Sequence, residues 1–271
     1  MTEPMYMRIS EDLRRQIETK ELRPGEQLPT ELELRQQYDA SRNTIRDAIK
    51  LLIGNGLVET RPGQGTYVVE KMDPFVTTLS ADPGTGAPGG DGGAYLSEVS
   101  EQNREAFSSP PQVGIQKAVG LISARLRIPE GTNVISRHQQ RFIDGTPWSM
   151  QTSFFPMDFV TRGAARLIGA DDIQEGMAQY LADALGLKQV GYRDWITVRV
   201  PNSAEADFLK IPMDGRVPVF ELLRVAFDES GTPLRVTVTI FPTDRNQFIV
   251  NVGDVPPPLS LPKEDDQERT G

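Results

Sequence analysis

The sequence contains no cysteine, which excludes a disulfide framework and a thiolate zinc site and fits a reducing compartment. Its one histidine, His138, cannot build a multi-histidine metal site. No stretch approaches the roughly 20 consecutive apolar residues that cross a bilayer, and the N-terminus shows no basic-then-apolar leader. The expectation is therefore a cytoplasmic protein with no membrane partner, no metal and no cofactor. Positive charge is also scarce. Against 29 Lys and Arg stand 38 Asp and Glu, a net charge of -9. Nucleic-acid binders are commonly basic, so this balance argues against a general nucleic-acid coat and requires any DNA contact to come from a local cluster.

What is present is a compact set of signals between Leu28 and Val69. In the segment from Ser41 to Leu52, Ser41 is placed to cap a helix and Ile45, Ile49 and Leu52 recur at helical spacing, so one face is buried. On the opposite face Arg42, Arg46 and Lys50 follow one another every four residues, with Asn43 and Thr44 beside them at the first turn. That is the side-chain set of a major-groove helix: Arg for guanine edges or phosphates, Asn for adenine, Thr for a phosphate or a thymine methyl. Just before it, Thr30-Glu31-Leu32-Glu33 is a capping-box pattern, with Leu34 and Tyr38 on one face. Only Asp39-Ala40 separate the two helices, the spacing of a helix-turn-helix. Gly54-Asn55-Gly56 stops the second helix. Two strand-like runs, Leu57 to Arg61 and Thr66 to Val69, then flank Pro62-Gly63-Gln64-Gly65, a wing whose glycines let backbone approach a sugar-phosphate surface while Arg61 supplies charge at its base.

The string LPTELELRQQYDASRNTIRDAIKLLIGNGLVETRPGQGTYVV resembles the N-terminal domain of the GntR family of bacterial transcription regulators. The resemblance joins Leu28-Pro29, the Ser41-Arg42-x-Thr44-x-Arg46 core, Gly56-Leu57 and Gly63-x-Gly65-Thr66. It implies DNA contacts from Arg42, Asn43, Thr44, Arg46 and Gly63, to which position adds Ser41, Lys50, Arg61, Gln64 and Gly65. The family often carries an arginine where this chain has Leu32; either one phosphate contact is absent or it falls to Arg35, one turn along. Residues 1–70 hold 10 basic and 12 acidic side chains. The basic cluster of Arg35, Arg42, Arg46, Lys50 and Arg61 must therefore segregate from Glu11, Asp12, Glu18 and Glu21 of the first helix. A local patch on an acidic body predicts weak non-specific binding and strong salt dependence of the specific complex.

At 271 residues the chain suits two modest domains. Met5 to Lys20 is expected to be helical, with Ile9, Leu13 and Ile17 on one stripe, and Gln27-Leu28 to pair with the wing. Residues 73–112, centred on DPGTGAPGGDGG, are expected to be a flexible Gly/Pro-rich linker between a winged helix-turn-helix over 1–72 and a second domain over 113–255. Tyr95 to Phe107 is left as a short helix or loose chain. The second domain alternates strands with helices: strands at Asn133 to Ile143, Trp148 to Phe155, Gln189 to Val200, Val219 to Phe227, Leu234 to Phe241 and Gln247 to Val252, and helices at Asp158 to Ile168, Gly176 to Leu185 and Ser203 to Leu209, capped by Ser203. That order makes an antiparallel α+β domain. The charged tail over 256–271 is expected to be disordered.

This half resembles the UTRA domain of the HutC-type GntR subfamily, through its two hairpin turns (Asp144-Gly145-Thr146-Pro147 and Ser230-Gly231-Thr232-Pro233), the Ala204-Glu205-Ala206 to Leu209 helix followed by Pro218, and Thr243-Asp244-Arg245. The resemblance implies a chorismate-lyase-like fold, a small-molecule pocket and a homodimer. Arg141 and Arg224 are candidate partners of an anionic effector, with Gln139, Gln151, Ser153, Thr237 and Thr239 as neutral hydrogen-bonding candidates. Members that read sugar phosphates tend to carry paired arginines where this chain has Gln139 and Arg141, and glutamates where it has Gln151 and Arg235. That difference points away from a phosphosugar. The implied function is a dimeric repressor of an inverted-repeat operator, released by an effector. The alternatives are a repressor with a vestigial pocket and an enzyme of chorismate-lyase-like fold, the latter disfavoured because no catalytic constellation is visible.

Overall fold

The computed structural model describes residues 4–69, 74–79, 99–100 and 102–252, and the chain divides after Asp73 into two units. The first holds α1 (Met5–Glu18), α2 (Glu31–Tyr38), α3 (Arg42–Gly54) and the hairpin β1 (Val58–Arg61) and β2 (Gly65–Val68). Its core is one cluster: Ile9 and Leu13 of α1, Leu34 of α2, and Ile45, Ala48, Ile49 and Leu52 of α3, closed by Leu28, Val58 and Val68. Each helix contributes the apolar stripe its spacing predicted. The capping box at Thr30 is formed, the Glu33 carboxylate accepting from the Thr30 N–H at 2.7 Å and the Thr30 hydroxyl accepting from the Glu33 N–H at 3.3 Å. Ser41 caps α3 by accepting the Thr44 N–H at 3.2 Å. Between the helices Asp39 adopts φ 46°, a left-handed turn that short polar residues tolerate. Gln27 forms an isolated bridge to Tyr67 of the wing, as its position suggested.

The second unit is built on a seven-stranded antiparallel sheet. In spatial order its strands are β4 (Ala106–Ser108), β6 (Asn133–Ile143), β7 (Thr146–Pro156), β10 (Pro233–Pro242), β9 (Val219–Asp228) and β8 (Gln189–Arg199), with β5 (Gln112–Lys117) also paired to β6. Both expected hairpins close, β6–β7 through Asp144-Gly145 and β9–β10 through Ser230-Gly231. One sheet face is covered by α4 (Leu121–Leu126) and α7 (Ser203–Leu209), over Val134, Phe154, Leu223, Val225 and Val236 in one cluster and Val219 and Ile240 in another. The opposite face is covered at one end by α5 (Asp158–Thr161), a 3-10 turn (Ala165–Ile168) and α6 (Met177–Leu185), packed on Ile135 and Phe155. At its other end a two-stranded parallel ribbon, β3 (Phe75–Thr78) with β11 (Asn246–Ile249), covers Leu222 and Phe241.

Four expectations need correction. The flexible linker over 73–112 is interrupted by structure. Phe75–Thr78 forms β3, whose Phe75 packs edge-on against Trp148, and Ala106–Ser108 and Gln112–Lys117 pair with β6. Glycine and proline are concentrated in the middle of that window, yet near its start Phe75, Thr77 and Leu79 are buried on alternate positions, the period of a half-buried strand. The helix expected over Asp158 to Ile168 breaks at Gly163, whose φ of 129° no helix accommodates. The cap of α7 is Asn202 rather than Ser203: the Asn202 side chain accepts from the Glu205 N–H at 2.9 Å while Glu205 accepts from the Asn202 N–H at 2.8 Å. The last strand ends at Ile249 rather than Val252, where Val250 and Val252 are exposed. The DPGTGAPGGDGG run and the 256–271 tail lie outside the described residues.

Leu52 is fully buried where α3 meets the rest of the first unit. Leu52→Ala should lower stability by about 2–5 kcal/mol, read as a lower urea midpoint at unchanged slope. A loss within a few tenths would mean that the helix is not held by this core.

Candidate nucleic-acid interface and effector face

With Ile45, Ala48, Ile49 and Leu52 turned inward, α3 leaves Arg42, Asn43, Arg46 and Lys50 in solvent; the three cationic side chains are 65%, 55% and 75% exposed. Thr44 is half-buried, its hydroxyl 2.8 Å from that of Ser41. Arg35 is exposed in the last turn of α2, and Leu32 is exposed in its first, where it contributes no polar contact. Carboxylates accompany the cations. Arg42 and Arg46 each donate Nε to opposite oxygens of Glu31, at 2.9 and 3.1 Å, and Lys50 donates to Asp47 at 3.2 Å. The hydrogen bond from Arg42, opposed by desolvation and supported by the charge of Arg46, holds the Glu31 carboxyl below the usual range.

In the wing, Arg61 donates to Glu59 at 2.9 Å and its guanidinium lies 4.3 Å from the centre of the Tyr67 ring, a cation–π contact that holds its charge beside the hairpin. Gly63, Gln64 and Gly65 make the tip. Gly63 (φ 74°) and Gly65 (φ 124°) adopt conformations that favour glycine, and the Gln64 carbonyl accepts from Gln27 Nε2 at 2.8 Å. The expected DNA-facing residues thus sit on α2, α3 and the hairpin of one small unit. Sequence reasoning did not foresee the pairing of Glu31 with α3, or that Gln27, expected to pair with the wing, also holds its tip through a side-chain bond to Gln64. In the sequence Glu31 falls within a capping-box pattern, and an acid in the first turn of α2 becomes a signal once α2 and α3 are neighbours.

In the second unit, directly paired residues share a sheet face. The registers align Arg137, Ser153, Thr237, Arg224 and Asp194 in one row across β6, β7, β10, β9 and β8, and Gln139, Gln151 and Thr239 in the next. Arg141, opposite Ser149, lies two residues further along β6 on the same face. All seven effector candidates therefore occupy one face, between its two apolar covers. Ser153 and Thr237 hydroxyls are 3.0 Å apart, and Gln151 Nε2 donates to Ser153 at 3.4 Å. Gln151 Oε1 and Ser149 Oγ are buried without a protein hydrogen-bond partner. A buried acceptor left so costs about 1–3 kcal/mol, which a ligand donor would recover.

The candidates are not equivalent. Arg224, expected to meet an anion of the effector, is already held by a carboxylate of this chain: Nε and Nη2 donate to the two oxygens of Asp194, both at 2.8 Å, with the guanidinium 3.9 Å over Tyr192. Gln139 is half-buried and reaches the Ser109 carbonyl at 3.3 Å and Asp172 at 3.4 Å. Arg141 is buried on the face. Arg235 shares it, and desolvation pushes its guanidinium down to about 10. Arg137, overlooked in the sequence, is buried and donates to the carbonyls of Arg166, Leu167, Gly169 and Asp171, fastening the 3-10 segment over the polar row. His138 points to the opposite face, 2.9 Å from Thr152, and burial lowers its pKa.

Comparison with known proteins resolves what these two units are. The profile for bacterial regulatory proteins of the gntR family matches residues 5–68, and that for the UTRA domain matches residues 111–247, more than half of the chain. The chain belongs to the GntR family. This GntR-family chain is 27% identical over 237 residues to the probable fructoselysine utilization operon transcriptional repressor of Escherichia coli O157:H7, covering 86% of this chain and 88% of the relative. A solved structure assigned to the GntR family superposes with a TM-score of 0.69 at 23% identity, covering 93% of this chain and 99% of that one. PhnF from Mycobacterium smegmatis gives 0.55 at 21% identity, covering 90% and 99%. The likeness to these solved structures is one of fold. As a GntR-type module joined to a UTRA domain, the chain is a DNA-binding transcription regulator with an effector-binding C-terminal half. Among the described residues no helix is long and apolar enough to cross a membrane, and no three acidic or histidine side chains are placed to hold a metal.

The two wing glycines should respond differently to a methyl group. A Cβ on Gly63 meets nothing within 4 Å, so Gly63→Ala should cost only the left-handed backbone strain of about 1–2 kcal/mol. A Cβ on Gly65 falls 2.4 Å from Gln27 Nε2, so Gly65→Ala should also break the Gln27–Gln64 bond. Thermal unfolding should rank Gly65→Ala below Gly63→Ala; the reverse order would contradict the pinned tip.

Proposed function

We propose that this chain is a repressor of the HutC type that acts in the cytoplasm as a homodimer on an inverted-repeat operator. In this reading α3 lies in the major groove, where Arg42, Asn43, Thr44 and Arg46 meet base edges or adjacent phosphates. Arg35, Ser41, Lys50 and Arg61 hold the phosphate backbone, and Gly63-Gln64-Gly65 follows it. The observation that carries the reading is the segregation of α3. Its inner face is saturated by core contacts and its outer face presents three exposed cations on a helix-turn-helix. Repression is supported by the role named for the Escherichia coli relative. Arg42→Ala with Arg46→Ala should abolish gel-shift binding to duplexes selected from genomic DNA while leaving the unfolding midpoint within a degree or two; unchanged affinity would overturn the contact assignment.

The polar sheet face is the proposed effector site. The buried, unpartnered carbonyl of Gln151 beside Ser149 and Thr239 suits an effector that presents a hydroxyl or amine donor. Binding there would lower operator affinity through a preference for the DNA-free arrangement of the dimer. A metabolite panel screened by thermal shift should yield a polar ligand that raises the melting temperature and releases DNA. Gln151→Leu should lose that shift without lowering the ligand-free melting temperature, since it removes an unsatisfied acceptor. An equal shift in the variant would move the site elsewhere, and a panel without hits would favour a vestigial pocket.

A further inference from the structure

The carboxylate of Glu31 stands inside the cationic ridge and belongs neither to the apolar core nor to the capping box of the first unit. The neighbouring Glu33 forms the α2 capping box, and Asp47 pairs with Lys50. Glu31 instead reaches from the first turn of α2 to α3 and accepts from Arg42 Nε at 2.9 Å and Arg46 Nε at 3.1 Å, one oxygen for each. The two arginines are mostly exposed, and ion pairs so placed add little to stability. Their geometry has a different consequence. A free arginine on a helix surface samples many rotamers, whereas one held by its Nε carries its Nη1 and Nη2 atoms forward in a set direction. Among the described residues those Nη atoms make no other hydrogen bond.

We infer that Glu31 is a specificity-determining positioning residue, which aims the Nη forks of Arg42 and Arg46 at base edges and withholds them from indiscriminate phosphate contact. The inference rests on the proposed contact of these two arginines with DNA. Two effects follow from one carboxylate. It fixes the spacing of two forks, so that bidentate pairing with guanine O6 and N7 is possible only where the guanines match that spacing. Its charge also opposes phosphates that approach the ridge without base contacts, which lowers the background affinity that any cationic helix has for duplex DNA. Because the Arg42 hydrogen bond keeps the carboxyl ionised, both effects persist through the neutral range.

The test compares the full-length wild type with Glu31→Gln, Glu31→Asp and the Arg42→Ala/Arg46→Ala double variant. Each is titrated against a duplex selected from genomic DNA and against a shuffled duplex of the same composition, at several salt concentrations. Glu31→Gln keeps the side-chain length and removes the charge. It should bind the shuffled duplex several-fold more tightly, with a salt slope steeper by about one phosphate equivalent, and its preference for the selected duplex should fall about tenfold or more. Glu31→Asp keeps the charge but is too short to serve both arginines. It should lose preference for the selected duplex while still rejecting the shuffled one, a separation that a purely structural role would not produce. If both Glu31 variants keep the wild-type preference within about twofold while the double arginine variant loses binding, the inference is overturned and the DNA contacts stand. Unimpaired binding by the double arginine variant overturns both.

Discussion

Everything in the first unit depends on the burial of one side of α3. A helix of 13 residues anchored by Ile45, Ala48, Ile49 and Leu52 against Ile9, Leu13 and Leu34 has no rotational freedom left, so the residues in solvent are decided by packing. The cationic ridge is thus the complement of a hydrophobic seam. The Ser41 cap and the left-handed turn at Asp39 set the angle at which that ridge leaves the unit. The acidity of the whole chain is no obstacle, because the charges that matter are sorted locally: the acids of α1 are paired with Arg14 and Arg15 on its solvent side. A screened, short-range field of this kind acts only within about a Debye length of the helix.

In the second unit a different constraint operates. The sheet has apolar contacts at both ends of one face and a polar strip between them. Burying polar groups is tolerated where they satisfy one another, as in Ser153 with Thr237 and Arg224 with Asp194. Where they do not, as at Gln151 Oε1 and Ser149 Oγ, the fold retains a standing cost that a tighter apolar core would have avoided. Sites of that kind are where a scaffold is shaped by its ligand rather than by its own stability.

The sequence was most legible where local signals repeat. Helical spacing in α3, the capping box at Thr30, the Asp-Gly hairpin of β6–β7 and the alternation along β6 each specify one local conformation, and the folded chain adopts them. Legibility failed where structure arises from distant pairing. β3 becomes a strand because β11, some 170 residues later, offers it a parallel edge, and nothing in a Gly/Pro-rich neighbourhood announces that partner. The polar sheet face shows the same limit. Alternation correctly put seven candidates on strands, and register put them on one face. The identity of each partner, Asp194 for Arg224 or the 3-10 carbonyls for Arg137, depends on which strands and loops become neighbours. The pairing of Glu31 with Arg42 and Arg46 likewise depends on α2 and α3 becoming neighbours, which the local capping pattern around it does not announce.

The central claim is that α3 reads DNA from the major groove, and chemical modification of that groove tests it most directly. Guanines in a selected duplex can be methylated at N7, where the methyl group blocks only the major-groove edge, and the bound and unbound fractions then compared. Interference should fall on guanines in two half-sites with centres about 10 base pairs apart or a multiple of that. Binding that tolerates N7 methylation at every guanine of the protected region, while methylation in the minor groove blocks it, would contradict the account.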